Sequence, residues 1–463
     1  MEEKNVLFIV PDGVGVRNYL YSKILKNPAL HKAKLFLWTT LPDEAFHEIE
    51  KSNNVIFNKK KIILQKEPFF TKIYRESATY ARLIYNAKLV ANPTIMSNWS
   101  KQNKTSKQKT GYIIAEIIGK WASKKYNRIL WLEKKSRNFY PKKIINTIKK
   151  DLLKINPTSI FITHQRVASL MPICIAAKEL NIKVITVIYS WDNLPKARLA
   201  VMADQYLVWS ENMKIEMQSY YPEISDQKII VTGTPQFEFY REKERIISRE
   251  LFAKKHDLDF TKKWICFSGD DILTSPFDPI YLSDVAEAIN TISPVKRPQI
   301  IFRKCPADLS DRYDAVINKF PEIIKSIDPI WHNAGNWGSN FPKSADIDLL
   351  VNLAFHCNLV LNLGSTMAFD FSFFDKPCLY FKYNPEVSAV WNVETIYNFQ
   401  HFRTMNNLDV VVWINNKEEI QEKIMNILDA VFPVAVDKKK WAELVIMHPI
   451  ENSATLIANT ILN

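Results

Sequence analysis

Glycine is scarce in this chain, with 9 residues in 463. Each glycine therefore marks a place where the backbone needs special geometry. No stretch offers ~18 consecutive uncharged apolar residues, so no transmembrane helix is expected. The five cysteines (Cys174, Cys266, Cys305, Cys357 and Cys378) are scattered and form no C-x-x-C pair. They read as buried thiols in a reducing compartment, with neither a disulfide framework nor a zinc site. No H-E-x-x-H, G-x-S-x-G or G-x-x-x-x-G-K-[ST] pattern occurs. These absences argue against a bound metal, a hydrolase elbow and a P-loop. The opening MEEKNVLFIVPDG begins acidic and has only a short apolar run, which suits a first strand better than a signal peptide. The expected compartment is the cytoplasm.

What is present is ordinary for a globular protein: 47% hydrophobic and 24% charged residues, and length for two or three domains. The charge is unevenly spread. Residues 101–150 hold fifteen Lys and Arg against Glu116 and Glu133, an excess equal to the whole net charge of +13. Ile113, Ile114, Ile117, Ile118 and Trp121 recur there at helical spacing, with Lys120, Lys124 and Lys125 near one end. That pattern suits docking on an anionic membrane surface, hence a peripheral protein at the inner face of the cytoplasmic membrane. The alternative is a core-packed helix with a solvated basic face. No helix-turn-helix or RNA-binding aromatic motif supports a nucleic-acid partner.

Short apolar runs alternate with amphipathic ones throughout, which implies βαβ units and parallel sheets. Strands are expected at Val6–Val10, Leu35–Trp38, Ser159–Thr163, Val184–Ile188, Tyr206–Trp209 and Ile229–Thr232. A second set follows at Trp264–Ser268, Gln299–Arg303, Leu359–Leu363, Cys378–Phe381 and Val410–Ile414. The charged stretch Phe239–Lys255 reads as a linking helix. Two domains follow, 1–238 and 239–463, with the last helix a candidate to pack back on the first. In doubly wound halves ligands sit at the carboxyl ends of strands, so polar residues just after strands carry the most weight.

Five such places stand out. Gly364-Ser365-Thr366 ends an apolar run and opens a helix, a start suited to an anion. Asp370 shares a face with Thr366 and could accept from ribose hydroxyls; the plainer reading is an N-cap serine and a surface carboxylate. His164 and Arg166 follow Ser159–Thr163, and Asp192 and Asn193 follow Val184–Ile188; they could equally be a structural histidine and turn formers. Asp12, Gly13, Gly15 and Arg17 follow the first strand. A G-x-G-x-x-G fingerprint fails at Asn18, so NAD and FAD are rejected, although the two glycines would still admit a ligand near the backbone. Arg303-Lys304 ends a strand and suits a phosphate. Asp346-Ile347-Asp348 has the D-x-D form of metal-dependent transferases, but it opens an apolar helix and is better explained as helix-start carboxylates.

Together, Ser190-Trp191-Asp192-Asn193-Leu194, Val208–Met217, Val231–Phe237 and Gly364–Pro377 resemble bacterial UDP-glycosyltransferases of surface polysaccharide synthesis. The last run is also similar to CDP-glycerol glycerophosphotransferases and to UDP-N-acetylglucosamine 2-epimerases. The resemblance implies an α/β glycosyltransferase B fold, two Rossmann-like domains with a cleft between them. It implies an acceptor on the N-terminal side, facing Gly13, Gly15, Arg17, Arg166 and Asn193. It implies a nucleotide-sugar donor on the C-terminal side, bound by Arg303, Gly364, Ser365, Thr366, Asp370 and His401. Where the family often has His-Pro after its cation, this chain has Cys305-Pro306. The implied reaction is metal-independent sugar transfer to a lipid-linked or saccharide acceptor, without a cofactor. Its base has three candidates, Asp12, His164 and Asp192. A sugar-nucleotide 2-epimerase, a CDP-glycerol-type phosphotransferase and a non-catalytic membrane- or nucleic-acid-binding protein are the alternatives.

Overall fold

The computed structural model describes residues 4–101, 104–333, 335, 337–388, 391–447 and 449–463. The chain divides into two compact units. Unit 1 comprises Met1–Gln236, Phe399–His401 and Val445–Asn463, and unit 2 comprises Phe237–Asn398 and Phe402–Leu444.

In unit 1 the strands are β1 (Asn5–Val10), β2 (Lys34–Thr39), β3 (Asn58–Lys61), β4 (Ser159–Ile162), β5 (Lys183–Val187), β6 (Gln205–Val208) and β7 (Ile229–Val231). They form one parallel sheet in the order β3-β2-β1-β4-β5-β6-β7. Strands covered on both faces must be apolar throughout; β4, Ser-Ile-Phe-Ile, is buried along its whole length. The exception is β3, Asn-Lys-Lys-Lys, which hydrophobic patterning misses. It tolerates three lysines because it lies at the sheet edge. The helices are α1 (Gly13–Gly15), α2 (Asp43–Asn53), α3 (Phe69–Leu89), α4 (Ser106–Ala122), α5 (Tyr126–Arg137), α6 (Lys142–Ile155), α7 (Met171–Glu179) and α8 (Glu211–Tyr220). The amphipathic stretch Arg166–Leu180 is α-helical only in part. The helix forms only from Met171, where Pro172 takes the first turn that proline favours, and this leaves Arg166 in the loop.

Unit 2 repeats the scheme. Its helices α9 (Arg249–His256), α10 (Asp278–Asn290), α11 (Asp314–Lys319), α12 (Ala345–His356), α13 (Met367–Ser372), α14 (Val393–Tyr397), α15 (Ile420–Leu428) and most of α16 (Lys438–Val445) surround β8 (Trp264–Ser268), β9 (Gln299–Arg303), β10 (Ile324–Ser326), β13 (Leu359–Asn362), β14 (Cys378–Phe381) and β15 (Val412–Ile414). The parallel order is β10-β9-β8-β13-β14-β15; β11 (Trp331–His332) and β12 (Phe341–Pro342) make a separate antiparallel pair. The final helix α17 (Ser453–Leu462) belongs to unit 1, where the Ile461 carbonyl accepts from Ser159 Oγ of β4 at 2.7 Å.

The stretch Phe239–Lys255 is not one helix. Two 3-10 turns, Pro235–Arg241 and Lys243–Arg245, precede α9, whose N-cap is Ser248. The apolar residues there pack by stacking instead of by helical period: the rings of Tyr240 and Phe373 stack at 5.6 Å.

Candidate functional site

Both sheets reverse their order of strand addition at one point, and loops diverge there to leave room for a ligand. In unit 1 that point lies between β1 and β4, which pair in parallel. Asp12 follows β1 and His164 follows β4. The Asp12 carboxylate does two things. Its Oδ1 caps α1 by accepting from Gly15 N at 2.9 Å, and its Oδ2 accepts from His164 Nδ1 at 2.5 Å. With Nδ1–H donating to the Asp12 carboxylate, the free lone pair is on Nε2. Nε2 is buried and has no hydrogen-bond partner among the described residues. Tyr189, after β5, stacks on the imidazole at 3.9 Å with the planes 10° apart. The ring is thus held by a carboxylate at one edge and by an aromatic face below.

Two cations border this group. Arg17 donates from Nε to Asn18 Oδ1 at 3.0 Å. Arg166 Nε is buried without a partner among the described residues, and burial pulls the Arg166 pKa down, with Asp192 opposing and Arg198 adding to the shift. Burial and then the Asp12 charge push the Tyr189 phenol well above its ordinary range, while Arg17 and Arg166 act the other way. Gly15 serves packing here, not ligand approach: a Cβ would lie 2.4 Å from Thr163 Oγ1. Gly13 is buried in the same turn.

The other candidates of this unit are already committed. Asp192 pairs with Lys196 and also accepts from Asn193 Nδ2 at 2.8 Å. Burial would raise its pKa, but Lys196 and then His401 hold it well below the ordinary carboxylate range. A carboxylate so stabilised is a poor base. Asn193 is buried and accepts from Gln165 Nε2 at 3.0 Å, which fixes the loop and presents nothing to an acceptor. His401, expected beside the donor, groups with unit 1, where its ring lies edge-on to Trp191 at 4.5 Å. Burial, against the Asp192 charge, pushes its pKa down to about 4.

In unit 2 the switch point lies between β8 and β13. Gly364 follows β13 with φ +71°, and a Cβ would meet Phe402 Cζ at 2.8 Å. Glycine is obligatory at that turn. The Ser365 N–H is taken by Asn362 Oδ1 at 2.9 Å, and its carbonyl accepts from Tyr380 OH at 3.0 Å. Thr366 then opens α13, and Asp370 lies one turn on; both are half-buried.

Across the same switch point, at the end of β8, is a carboxylate pair that the sequence reading passed over. Asp278 is buried and accepts from Asp270 N at 2.6 Å, from Ser275 Oγ at 2.5 Å and from Tyr313 OH at 3.0 Å. Asp270 Oδ2 is buried with no partner among the described residues. Burial first, and then Asp278 and Asp271, push Asp270 well above the usual carboxylate range; burial likewise raises Asp278. The signal was available, since Asp270-Asp271 directly follows an apolar strand.

Arg303 ends β9 but is not an open phosphate cation. It is buried, and its Nη2 donates to both oxygens of Asp346 at 2.9 and 3.0 Å. Asp346 also accepts from Ile330 N and Trp331 Nε1, while Asp348 pairs with Arg245 at 2.6 Å. The two carboxylates of the D-x-D therefore serve different cations. No group of three or more His, Cys, Asp or Glu among the described residues could hold a metal ion.

No family model matches the sequence, and no curated protein matches it. Solved structures do. The UDP-GlcNAc 2-epimerase of Neisseria meningitidis bound to UDP-GlcNAc is similar at 11% identity over 99% of each chain, with a TM-score of 0.51. The UDP-GlcNAc 2-epimerase of Methanocaldococcus jannaschii is similar at 14% identity over 99% of each chain, TM-score 0.53. A glycosyltransferase from Rickettsia africae ESF-5 is similar at 12% identity over 100% of each chain, TM-score 0.52. With its two Rossmann-like units the chain has the glycosyltransferase B fold, shared by these enzymes. No helix among the described residues is long and apolar enough to cross a membrane.

Proposed function

We propose that this protein is a glycosyltransferase that moves a sugar from a nucleotide-sugar donor to a hydroxyl of a saccharide or lipid-linked acceptor, without a metal or cofactor. The observation that carries this reading is the Asp12–His164 pair at the switch point of unit 1, with Nε2 unpartnered. His164 Nε2 takes the proton of the acceptor hydroxyl. The oxygen forms a bond to the anomeric carbon, and the bond from that carbon to the nucleoside diphosphate breaks, with the electron pair leaving on phosphate. Asp12 holds the ring in the required tautomer and stabilises the imidazolium that forms. Arg17 and Arg166 suit an acceptor that itself carries an anionic group. On the donor side the reading assigns the turn Gly364–Thr366 to the diphosphate and Asp370 to the ribose. The basic segment 101–150 would bring such an enzyme to the inner face of a membrane.

A sugar-nucleotide 2-epimerase is the second reading, favoured by the names of two of the fold relatives above. Incubation of the protein with UDP-, GDP- and CDP-activated donors, with and without a saccharide acceptor, separates the two, and inclusion of CDP-glycerol covers the phosphotransferase. Acceptor-dependent release of nucleoside diphosphate that persists in EDTA is expected. Epimer formation without acceptor overturns the transferase reading, and turnover that EDTA abolishes and Mg²⁺ restores overturns its metal independence.

A further inference from the structure

α4 is built inside out for a soluble bundle. The residues it buries are small or hydroxylated: Tyr112, Ala115, Gly119 and Ala122. Gly119 lies so close to α3 that a Cβ would sit 2.9 Å from the Ser77 carbonyl. Ile118 packs partly inward against the same neighbours, but the other large apolar residues of the helix point the other way. Ile113, Ile117 and Trp121, four apart and so on one face, are 49%, 65% and 47% exposed. The core-packed reading of these side chains is therefore excluded.

The exposed face continues onto two neighbouring helices through direct ring contacts. Trp121 meets Trp131 of α5 at 6.4 Å, Trp131 meets Tyr74 of α3 at 6.0 Å, and Tyr74 stacks on Phe139 at 5.5 Å. Phe139 meets Phe70, and Phe70 meets Phe69, each at 5.5 Å. All of these rings except Tyr74 are exposed. Scattered surface aromatics are ordinary, but a contiguous apolar ridge marks a contact surface.

The charge around the ridge identifies its partner. Arg128 lies over the Trp121 ring at 4.4 Å and Lys135 over the Trp131 ring at 5.7 Å. Trp121, Lys125, Arg128 and Trp131 line an open depression where α4 and α5 meet along the ridge. The two acids of the segment are withdrawn from this surface. Glu116 pairs with Lys101 at 2.8 Å, and Glu133 pairs with the buried Arg82 at 2.5 Å. Exposed Lys124 and Lys125 have no carboxylate of the segment beside them, and exposed Lys120 shares Glu116 with Lys101. Tryptophans with isoleucines on one face and cations at the rim match the interface of an anionic bilayer, with rings at headgroup depth and ammonium groups at lipid phosphates. A second copy of the chain would bring the same cations together and repel.

We propose that the ridge running from Phe69 through Trp131 to Ile113 is a bilayer-insertion face, with the depression between Trp121 and Trp131 receiving a lipid phosphate. The face belongs to the surface of unit 1, so its failure would leave the transfer chemistry untouched, and the reverse holds too.

The test uses the full chain with vesicles of phosphatidylcholine containing phosphatidylglycerol, and with vesicles of phosphatidylcholine alone. The protein should co-sediment with the anionic vesicles at low salt, leave them at high salt, and show tryptophan quenching by brominated lipid. Lys120→Glu, Lys124→Glu and Lys125→Glu together should weaken partitioning by at least ~100-fold, at roughly fivefold per cation. Ile117→Ser with Trp121→Ser should weaken it by at least ~10-fold and reduce the quenching. Both variants should keep the thermal transition and the nucleotide-induced shift of the parent. Wild-type protein that stays in the supernatant at low salt overturns the proposal. So does anionic binding without quenching that the serine variant leaves unchanged, because cations alone would then be acting. A concentration-dependent dimer that the serine variant dissolves, and that vesicles do not compete with, would assign the ridge to a second copy instead.

Discussion

Arg303 and Asp346, separated by 42 intervening residues, meet in the interior of unit 2 as a two-point ion pair, with Nη2 at 2.9 and 3.0 Å from the carboxylate oxygens. Asp346 is fully buried and carries two further donors from Ile330 and Trp331. The pair ties the end of β9 to the start of α12 and to the β11 segment. The other terminal nitrogen, Nη1, is buried without a hydrogen-bond partner among the described residues, so the pair leaves one edge of the guanidinium uncommitted.

Asp346→Ala should therefore lower unfolding free energy by about 3–5 kcal/mol, because it strands a buried guanidinium. Urea titration measures this. Arg303→Met should also destabilise, yet at low temperature its nucleotide-induced thermal shift should persist. Loss of that shift in a fully folded Arg303→Met protein would return the residue to the phosphate site.

His164→Ala should reduce turnover by ~10²–10⁴-fold, the usual worth of a general base. Asp12→Asn should cost less, since it keeps the cap on Gly15 but no longer favours the imidazolium. Steady-state kinetics should place both losses in kcat, with donor affinity by thermal shift unchanged. Asp192→Asn at an unchanged kcat would be consistent with its commitment to Lys196.

Gly364→Ala should abolish the nucleotide-induced shift, because its φ of +71° and the approach of Phe402 both reject a side chain. Ser365→Ala and Asp370→Ala should weaken nucleotide binding without unfolding. Ligand at 100 times its dissociation constant adds ~2.7 kcal/mol to stability, so the loss is readily read as a change in Tm. Equal shifts in all three variants would remove the donor site from this turn.

His401 makes a pH-dependent contribution. Its folded pKa is pushed down to about 4 from an ordinary 6.5. Between those values the unfolded state binds more protons, so stability rises with pH across the window and is lost as pH falls from 6.5 towards 4. The loss amounts to ~1–3 kcal/mol in acid. Denaturation at a series of pH values should show this slope, and His401→Gln should flatten it. An unchanged slope in the variant would assign the acid limb to other groups.

The hydrophobic rhythm of the chain was enough to place almost every strand of both sheets, because a strand buried on two faces has to be apolar throughout and a crossover helix has to be amphipathic. It was also enough to direct attention to Asp12, His164 and Gly364, since polar residues directly after such strands lie at the sheet's carboxyl edge. It could not find two edge strands, β10 (Ile-Lys-Ser) and β3, whose lysines are allowed only because the strand is at an edge. Nor could it decide among partners. Asp12 and His164 lie 152 positions apart and are joined only because β1 and β4 are neighbours at the point where strand order reverses. Long-range pairing likewise joined Arg303 to Asp346, whereas Asp192 and Asp270 found their partners Lys196 and Asp278 within eight residues, through the shape of their loops. For α4, the period established that isoleucines share a face but not which way that face looks. Tight packing of Gly119 and Ala115 against α3 turned it outward, and that choice rests on interhelical distance, which no single helix's sequence contains.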